Sequence, residues 1–437
     1  MITRRQALLS TLFGTGMVGL RALATGLPTS FLLNPRRALA ELPASGCSDP
    51  NRAQFIIFNT SGLGDPINAN VPGSYDDPNI VHSADPAMAP TALQILGKAY
   101  TAAAPWAALP QAVLDRTCFW HLMTNTPVHP KEPDVLSLMG STAAGEMLPS
   151  LLAKQLAPCL GTIQAEPLCL GATTPAEGLS YAGSALPIIP ALALKATLTS
   201  AAGPLTDLQP LRDETLNSLY DLYKNGATPR ERSYIDSLVK SQREVRNLDQ
   251  TLLDSLASIT DNSPASQMLA AVTLIQMKVT PVISVHIPFG GDNHRDVGLA
   301  DETSQTIAGV QTIATLLQML ESAGLSDRVL FASLNVFGRT LGPGTADGRQ
   351  HNENHQVSIT IGKALRGGVV GGLAPVGKDF GATAVDSQTG VSRSDGDISA
   401  GDTLASYGQT LLAAVGVDNA VIRAQVSSGK VVSGALA

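Results

Sequence analysis

Residues Thr280–Asp296 read TPVISVHIPFGGDNHRD: a β-prone run, Thr280–Ile287, empties through two glycines into an acid, an imidazole, a guanidinium and a second acid. Helical segments flank this stretch at Ala265–Met277 and Glu302–Ala323, and strands follow at Arg328–Leu334 and Gln356–Ile361. Strands that alternate with helices imply right-handed crossovers, which cover both faces of a largely parallel sheet. The expected fold class is therefore α/β, with a largely parallel central sheet covered by helices on both faces. In such sheets functional groups gather just beyond the carboxyl ends of strands. GGDNHRD (Gly290–Asp296) stands in that position. So do NTSGLGD (Asn59–Asp65), after a strand at Gln54–Phe58, and TNTPVHP (Thr124–Pro130), after a strand at Thr117–Leu122.

The remaining segments are read in the same way. A helix is expected over Thr91–Ala103 and another near Leu404–Val415, and GGVVGG (Gly367–Gly372) reads as a turn. Within Pro229–Ile259, apolar Tyr234, Leu238, Val245, Leu248 and Leu252 recur at spacings of three, four and seven, which predicts a long amphipathic helix. Residues 170–211 are rich in Ala, Leu and Pro without a clean period. Together these stretches predict a loop-rich and helical insertion around 170–260 inside a single domain, 41–437.

The chain has 437 residues, 44% of them hydrophobic and 15% charged, enough to bury a substantial core. Aromatic residues make up only 4%, while there are 40 glycines and 28 prolines, a balance that favours a loop-rich α/β protein over an aromatic-lined barrel. Arg4 and Arg5 precede a moderately apolar stretch, Ala7–Leu20, and small residues follow at Ala38 and Ala40. This order predicts a twin-arginine export signal over residues 1–40, and so a periplasmic, secreted or cell-surface protein. An integral membrane span is not expected, because Arg21 and Pro28 interrupt the apolar run before the roughly 20 residues a span needs. PASGC, ending at Cys47, hints at a lipid-anchor box, but Ala44 stands where leucine is usual. Residues 1–40 hold five arginines and no acid, so their removal takes the net charge from −7 to −12. Nucleic acid, which demands clustered cations, is not an expected partner. Of the four cysteines, Cys159 and Cys169 are close enough for a short-loop disulfide, with buried thiols as the other reading; Cys47 and Cys118 complete the set.

Three stretches could carry chemistry. Asp292 and His294 flank one residue in a tight turn, where both could reach one divalent ion. In HNENH, His351 and His355 are four apart, which on a helix puts both imidazoles on one face. Ordinary turn and cap residues are the competing reading for both pairs. HLMTNTPVHP places the hydroxyls of Thr124 and Thr126 close to His129, and a threonine oxygen activated by a metal is a nucleophile toward phosphorus or sulfur esters. An N-cap before proline is the simpler reading there. The chain has no Gly-x-Ser-x-Gly elbow, Walker loop or dinucleotide-binding glycine pattern.

With GGDNHRD, GLSDRVLFASLNVFGRT (Gly324–Thr340) and GRQHNENHQVSITIGKALRGGVVGG (Gly348–Gly372) in order, the chain resembles a family of twin-arginine-exported bacterial proteins, domain of unknown function 1501, related to the alkaline phosphatase and sulfatase superfamily. The likeness is strongest from about Leu269 to Gly372. It implies an alkaline-phosphatase-like core with Asp292 and His294 matching an acid and histidine of the first motif, Arg339 the arginine of a Phe-Gly-Arg element, His351 the histidine of a third motif, His129 a further histidine, and Asp65 the acid of a Gly-rich turn. In the superfamily such acids and histidines hold divalent metal, and a Ser or Thr oxygen attacks the ester. This chain departs from the family pattern at Val336 (for glutamate), Gln350 (for aspartate) and Val128 (for serine), and each change removes an anionic or nucleophilic oxygen. Glu353 could supply a lost acid.

Two functions follow. The first is an exported metal-dependent hydrolase of phosphate or sulfate esters, taking a small anionic ester or a surface polymer. Asp65, Asp292, His294, His351 and His355 would hold zinc, manganese, calcium or magnesium, with Thr126 as nucleophile, His129 beside it and Arg339 as anion anchor. The second is a non-catalytic secreted or cell-surface binding or assembly protein on the same fold.

Overall fold

The computed structural model describes residues 55–160, 166–171, 178–198, 209–229, 250–287 and 289–437, with a few further helical positions between 230 and 249. The export-signal reading, Cys47, the Cys159 side chain and much of the helix expected within Pro229–Ile259 lie outside the described residues; Gln250–Ala257 of that helix is described and is α-helical.

Among the described residues, seven strands make the central sheet: β1 (Phe55–Ser61), β2 (Thr117–Leu122), β3 (Leu168–Cys169), β4 (Val282–Val285), β5 (Val329–Asn335), β6 (Gln356–Ile361) and β7 (Gly368–Val370). Their spatial order is β7-β2-β6-β5-β1-β4-β3. β1 is central and pairs in parallel with β4 and β5, with Ile56 beside Val282 and Phe55 beside Val329. β6 is antiparallel to both its neighbours, β2 and β5. With β7 parallel to β2 and β3 parallel to β4, β6 is the one sheet strand that runs against the rest. The architecture is thus mixed α/β with a largely parallel sheet.

The apolar run FIIF in β1 is unbroken because both faces of a parallel sheet are covered. Phe55 and Ile57 enter one apolar cluster, with Ala270 and Leu274 of helix α2 (Pro264–Gln276) and Val310, Ile313 and Leu316 of α3 (Ala300–Ser322). Ile56 and Phe58 enter the other, with Leu148 and Leu152 of α1 (Leu148–Leu160) and Leu404 and Leu411 of α4 (Thr403–Ala414). The period-2 alternation of side chains along β1 and β5 feeds both layers. Each fully buried side chain of this kind contributes roughly 1.5–3 kcal/mol. No described helix is long and apolar enough to cross a membrane.

Three expectations are corrected. Thr91–Ala103 is a β-hairpin, Pro90–Ile95 paired with Lys98–Ala103, because Leu96 (φ 49°) and Gly97 (φ 77°) form a tight left-handed turn. GGVVGG is no simple turn: its centre is β7, an edge strand paired with β2. HNENH is not helical. His351 and Asn352 pair with Arg339 and Gly338, and the Asn352 side chain then accepts hydrogen bonds from the backbone of Asn354 and His355, an Asx-type turn that competes with helix.

Candidate metal centre

The loops that leave β1, β2, β4 and β5 at their carboxyl ends, joined by the short strand carrying His351, converge on one point. His129, Asp292, His294 and His351 each present one ligand atom there, all within 4.8 Å of one another. Asp292 Oδ1 lies 3.2 Å from His294 Nε2 and 3.7 Å from His129 Nε2. A tetrahedral ion with ligand bonds of about 2.0–2.1 Å needs ligand atoms roughly 3.3 Å apart, so these separations suit one ion.

The other ring nitrogen of each histidine is occupied. His129 Nδ1 lies 2.6 Å from Gly62 O, His351 Nδ1 2.5 Å from Pro127 O, and His294 Nδ1 3.0 Å from Gln350 Oε1. A carbonyl oxygen can only accept, so Nδ1 of His129 and of His351 carries a proton, and in the neutral ring Nε2 is the nitrogen left to ligate. His351 Nε2 is buried without a hydrogen-bond partner. An orphaned nitrogen aimed at a carboxylate and two more imidazoles is the donor set of a divalent-ion site, and the outer partners supply the orientation such ligands need.

Aromatic packing fixes the rings. His351 stacks on Phe337 at 4.3 Å between centroids, and His129 meets the same ring edge-on at 4.9 Å. Burial lowers the His351 pKa from its ordinary value, with the Arg339 charge adding to the effect. Asp292 is partly buried, which favours its neutral form, but the Arg339 hydrogen bond and charge, with His129 and His294, hold its carboxyl below the usual range.

The GGDNHRD turn is held from behind. Gly290 (φ 114°) has no room for a side chain, since a Cβ would lie 2.6 Å from Pro66 Cγ. Asn293 donates to Glu302, its carbonyl accepts from Arg349 N at 3.0 Å, and Glu302 and Arg349 form an ion pair with both side chains fully buried. Asp296, the second acid, is no ligand: its carboxylate accepts from the backbone of Asp301 and Glu302 and so caps the first turn of α3.

The other expected site residues take different places. Arg339 is fully buried, and its guanidinium donates to the carbonyls of Leu63 and Gly64 and to Asp292 Oδ1 at 2.8 Å. Four of its five N–H groups are engaged within the protein, the fourth by Arg349 O at 3.5 Å, and the side chain has no exposed surface, so it orients Asp292 and does not present a fork to a ligand. His355 lies outside the cluster: its Nε2 is 2.9 Å from His121 Nδ1 and its Nδ1 is 3.3 Å from Asn68 Nδ2, all buried. Asp65 is also outside it, fully buried, with Ser61 Oγ donating to Oδ1; burial raises its pKa against the opposing effects of His286, Ser61 and Arg339. Thr126 is 5% exposed, three residues before His129. Val336 points into the apolar core, so no carboxylate reaches the centre from that position. Glu353 is not among the clustered ligands. The sequence reading had placed His129 beside a nucleophile, whereas the structure sets it among the candidate ligands. It missed Phe337 as the ring floor and the Glu302–Arg349 pair, because a lone Phe or a distant Glu and Arg carry no local pattern. Cys118 is buried and donates to Arg366 O.

Fold and site together define an α/β protein with a three-imidazole, one-carboxylate centre at the carboxyl edge of its sheet. Residues 206–394 match the model of a family described as a protein of unknown function (DUF1501). The matched span contains Asp292, His294, Arg339, Gln350 and His351 and stops short of His129 on its amino-terminal side. No curated protein matches the chain.

Proposed function

We propose that this chain is an exported metal-dependent hydrolase of phosphate or sulfate esters, built on an alkaline-phosphatase-like core and carried out of the cytoplasm by the twin-arginine signal over residues 1–40. The observation that carries the reading is the convergence of His129, Asp292, His294 and His351, with the outer nitrogen of every imidazole already occupied. A divalent ion held there supplies Lewis-acid polarisation of an ester oxygen. Charge supports an anionic substrate. Asp292 and Arg339 cancel and the imidazoles are neutral ligands, so a loaded centre keeps the two positive charges of the ion. Asp292 is 43% exposed at its side chain, which leaves the centre an open side for substrate. Arg339 holds the Asp292 carboxylate, Phe337 and the outer carbonyls hold the rings, and Thr126 or water is the attacking oxygen.

The test is hydrolysis of aryl phosphate and aryl sulfate esters by purified protein with zinc, manganese, calcium or magnesium, with Asp292→Ala and Thr126→Ala alongside. Turnover abolished by Asp292→Ala supports the hydrolase, and turnover equal in that variant overturns it. Loss in Thr126→Ala assigns the attack to its hydroxyl, and retention assigns it to water. A second reading, a non-catalytic metal-holding component of the cell surface, is favoured by one observation: the Arg339 side chain has no exposed surface and its Nε and Nη2 are engaged by Gly64, Leu63 and Asp292, so it offers no open fork to a substrate oxyanion. Tight ion binding without turnover on any ester selects it.

A further inference from the structure

His294 differs from its two companions in one respect. The outer partners of His129 and His351 are backbone carbonyls, which accept only, so their tautomer is fixed whether or not an ion is present. The outer partner of His294 is the Gln350 side chain, whose Oε1 lies 3.0 Å from Nδ1 in the accepting pose that suits a metal-bound ring; turned over, the same amide would donate through Nε2. The inner nitrogen of His294 faces Asp292 Oδ1 at 3.2 Å. Without an ion, an unprotonated Nε2 would set a lone pair against a carboxylate oxygen, whereas Nε2–H donates to it. With an ion between them, Nε2 must be unprotonated and the proton belongs on Nδ1.

We propose that Gln350 makes the metal exchangeable: its amide donates to Nδ1 of His294 in the ion-free protein and turns over to accept from Nδ1–H when an ion enters. The proton moves from Nε2 to Nδ1 by exchange with water, and no charge is gained or lost at the ring. The backbone N–H of Gln350 donates to Thr340 Oγ1 at 2.8 Å, which holds the backbone beside His294, and the exposed side chain leaves its amide room to turn. A carboxylate here could only accept, and it would lock His294 in the binding tautomer. The glutamine is thus a positioning residue that gives up some affinity for reversible loading. This inference rests on the metal reading above.

The experiment uses full-length protein near pH 8, where imidazole is neutral, with zinc as probe. Nitrogen-15 histidine spectra should show His294 as the Nε2–H tautomer in ion-free wild type and as Nδ1–H once loaded. Gln350→Glu should already be Nδ1–H without zinc, bind zinc on the order of 10–100-fold more tightly and release it correspondingly more slowly to a chelator. Gln350→Met, which can neither donate nor accept strongly at Nδ1, should bind on the order of 10-fold more weakly than wild type. Zinc bound by wild type with His294 as Nδ1–H in the ion-free state, or equal release rates in wild type and Gln350→Glu, overturns this proposal alone. No zinc binding by wild type overturns the metal reading and this proposal with it.

Discussion

Phe337 carries His351 on its face, with ring centroids 4.3 Å apart and planes inclined by 29°. The same ring meets His129 edge-on, so one buried phenylalanine sets the attitude of two of the three imidazoles. It is wedged from below by Gly64 (φ 69°), where a Cβ would lie 2.0 Å from Phe337 Cε2. Phe337→Leu should leave the core nearly filled, costing on the order of 1–1.5 kcal/mol, while the rings lose their platform. Zinc affinity should fall about 10-fold, and denaturant unfolding with a chelator titration reads both quantities. Unchanged affinity would show that the Nδ1 hydrogen bonds alone hold the rings.

Gly348 presses on the metal-binding turn from the other side. Its φ is 128°, and a Cβ there would lie 2.4 Å from His294 O, a backbone atom that cannot swing aside. Gly348→Ala is expected to displace residues 293–294 and add about 1–3 kcal/mol of backbone strain. Gly344 (φ 92°) has nothing within 4 Å of its Cβ position and serves as a control for strain alone. Metal affinity should drop in the first variant and hold in the second, as measured by calorimetric titration with zinc.

Glu302 and Arg349 form the buried pair behind that turn, and Arg349 also donates to the carbonyls of Val81 and Thr340. Removing one partner leaves a buried charge uncompensated, so Arg349→Met should cost about 3–5 kcal/mol. Replacing both, in Glu302→Leu with Arg349→Met, should cost clearly less than the two single changes added together. Urea unfolding of the three variants measures the coupling.

Acid should destabilise the protein through His121 and His355. Burial drives the His121 pKa down from 6.5 to about 4 and that of His355 well below 6.5, the second reinforced by the neighbouring His121. His121 Nε2 sits 3.1 Å from Pro72 O, and the pair shares one hydrogen bond, which suits two neutral rings. A depressed folded pKa means that the unfolded chain takes up protons the native chain refuses. Stability is therefore fully present above about pH 6.5 and is lost as the pH falls from there toward 4. His121 alone contributes roughly 3 kcal/mol over that window. Urea midpoints between pH 7.5 and 4.5 should fall steadily, and a flat profile in metal-free protein would contradict the assignment.

Much of the sheet was legible because β1, β4 and β5 are short apolar runs set between periodic helices, and that pattern is local. The hairpin at Pro90–Ala103 was not, since its deciding feature is the left-handed turn at Leu96–Gly97, which a helical reading of TALQILGKAY passes over. At the site, Asp292 and His294 are near neighbours in one turn, so their partnership could be read directly. His129 and His351 meet them only because distant loops end at one sheet edge, a relation no spacing reveals. His355 misled through a four-residue interval that means something only on a helix, and Asn352 turns the chain instead.

The central claim is that four side chains from two loops and one short strand grip a single divalent ion. Zinc titration of the metal-free protein, read by calorimetry with Asp292→Ala and His351→Ala in parallel, tests it most directly. About one ion per chain should bind tightly to the wild type, with affinity down at least 10-fold in either variant. Binding that is absent from the wild type, or equally strong in both variants, would contradict it.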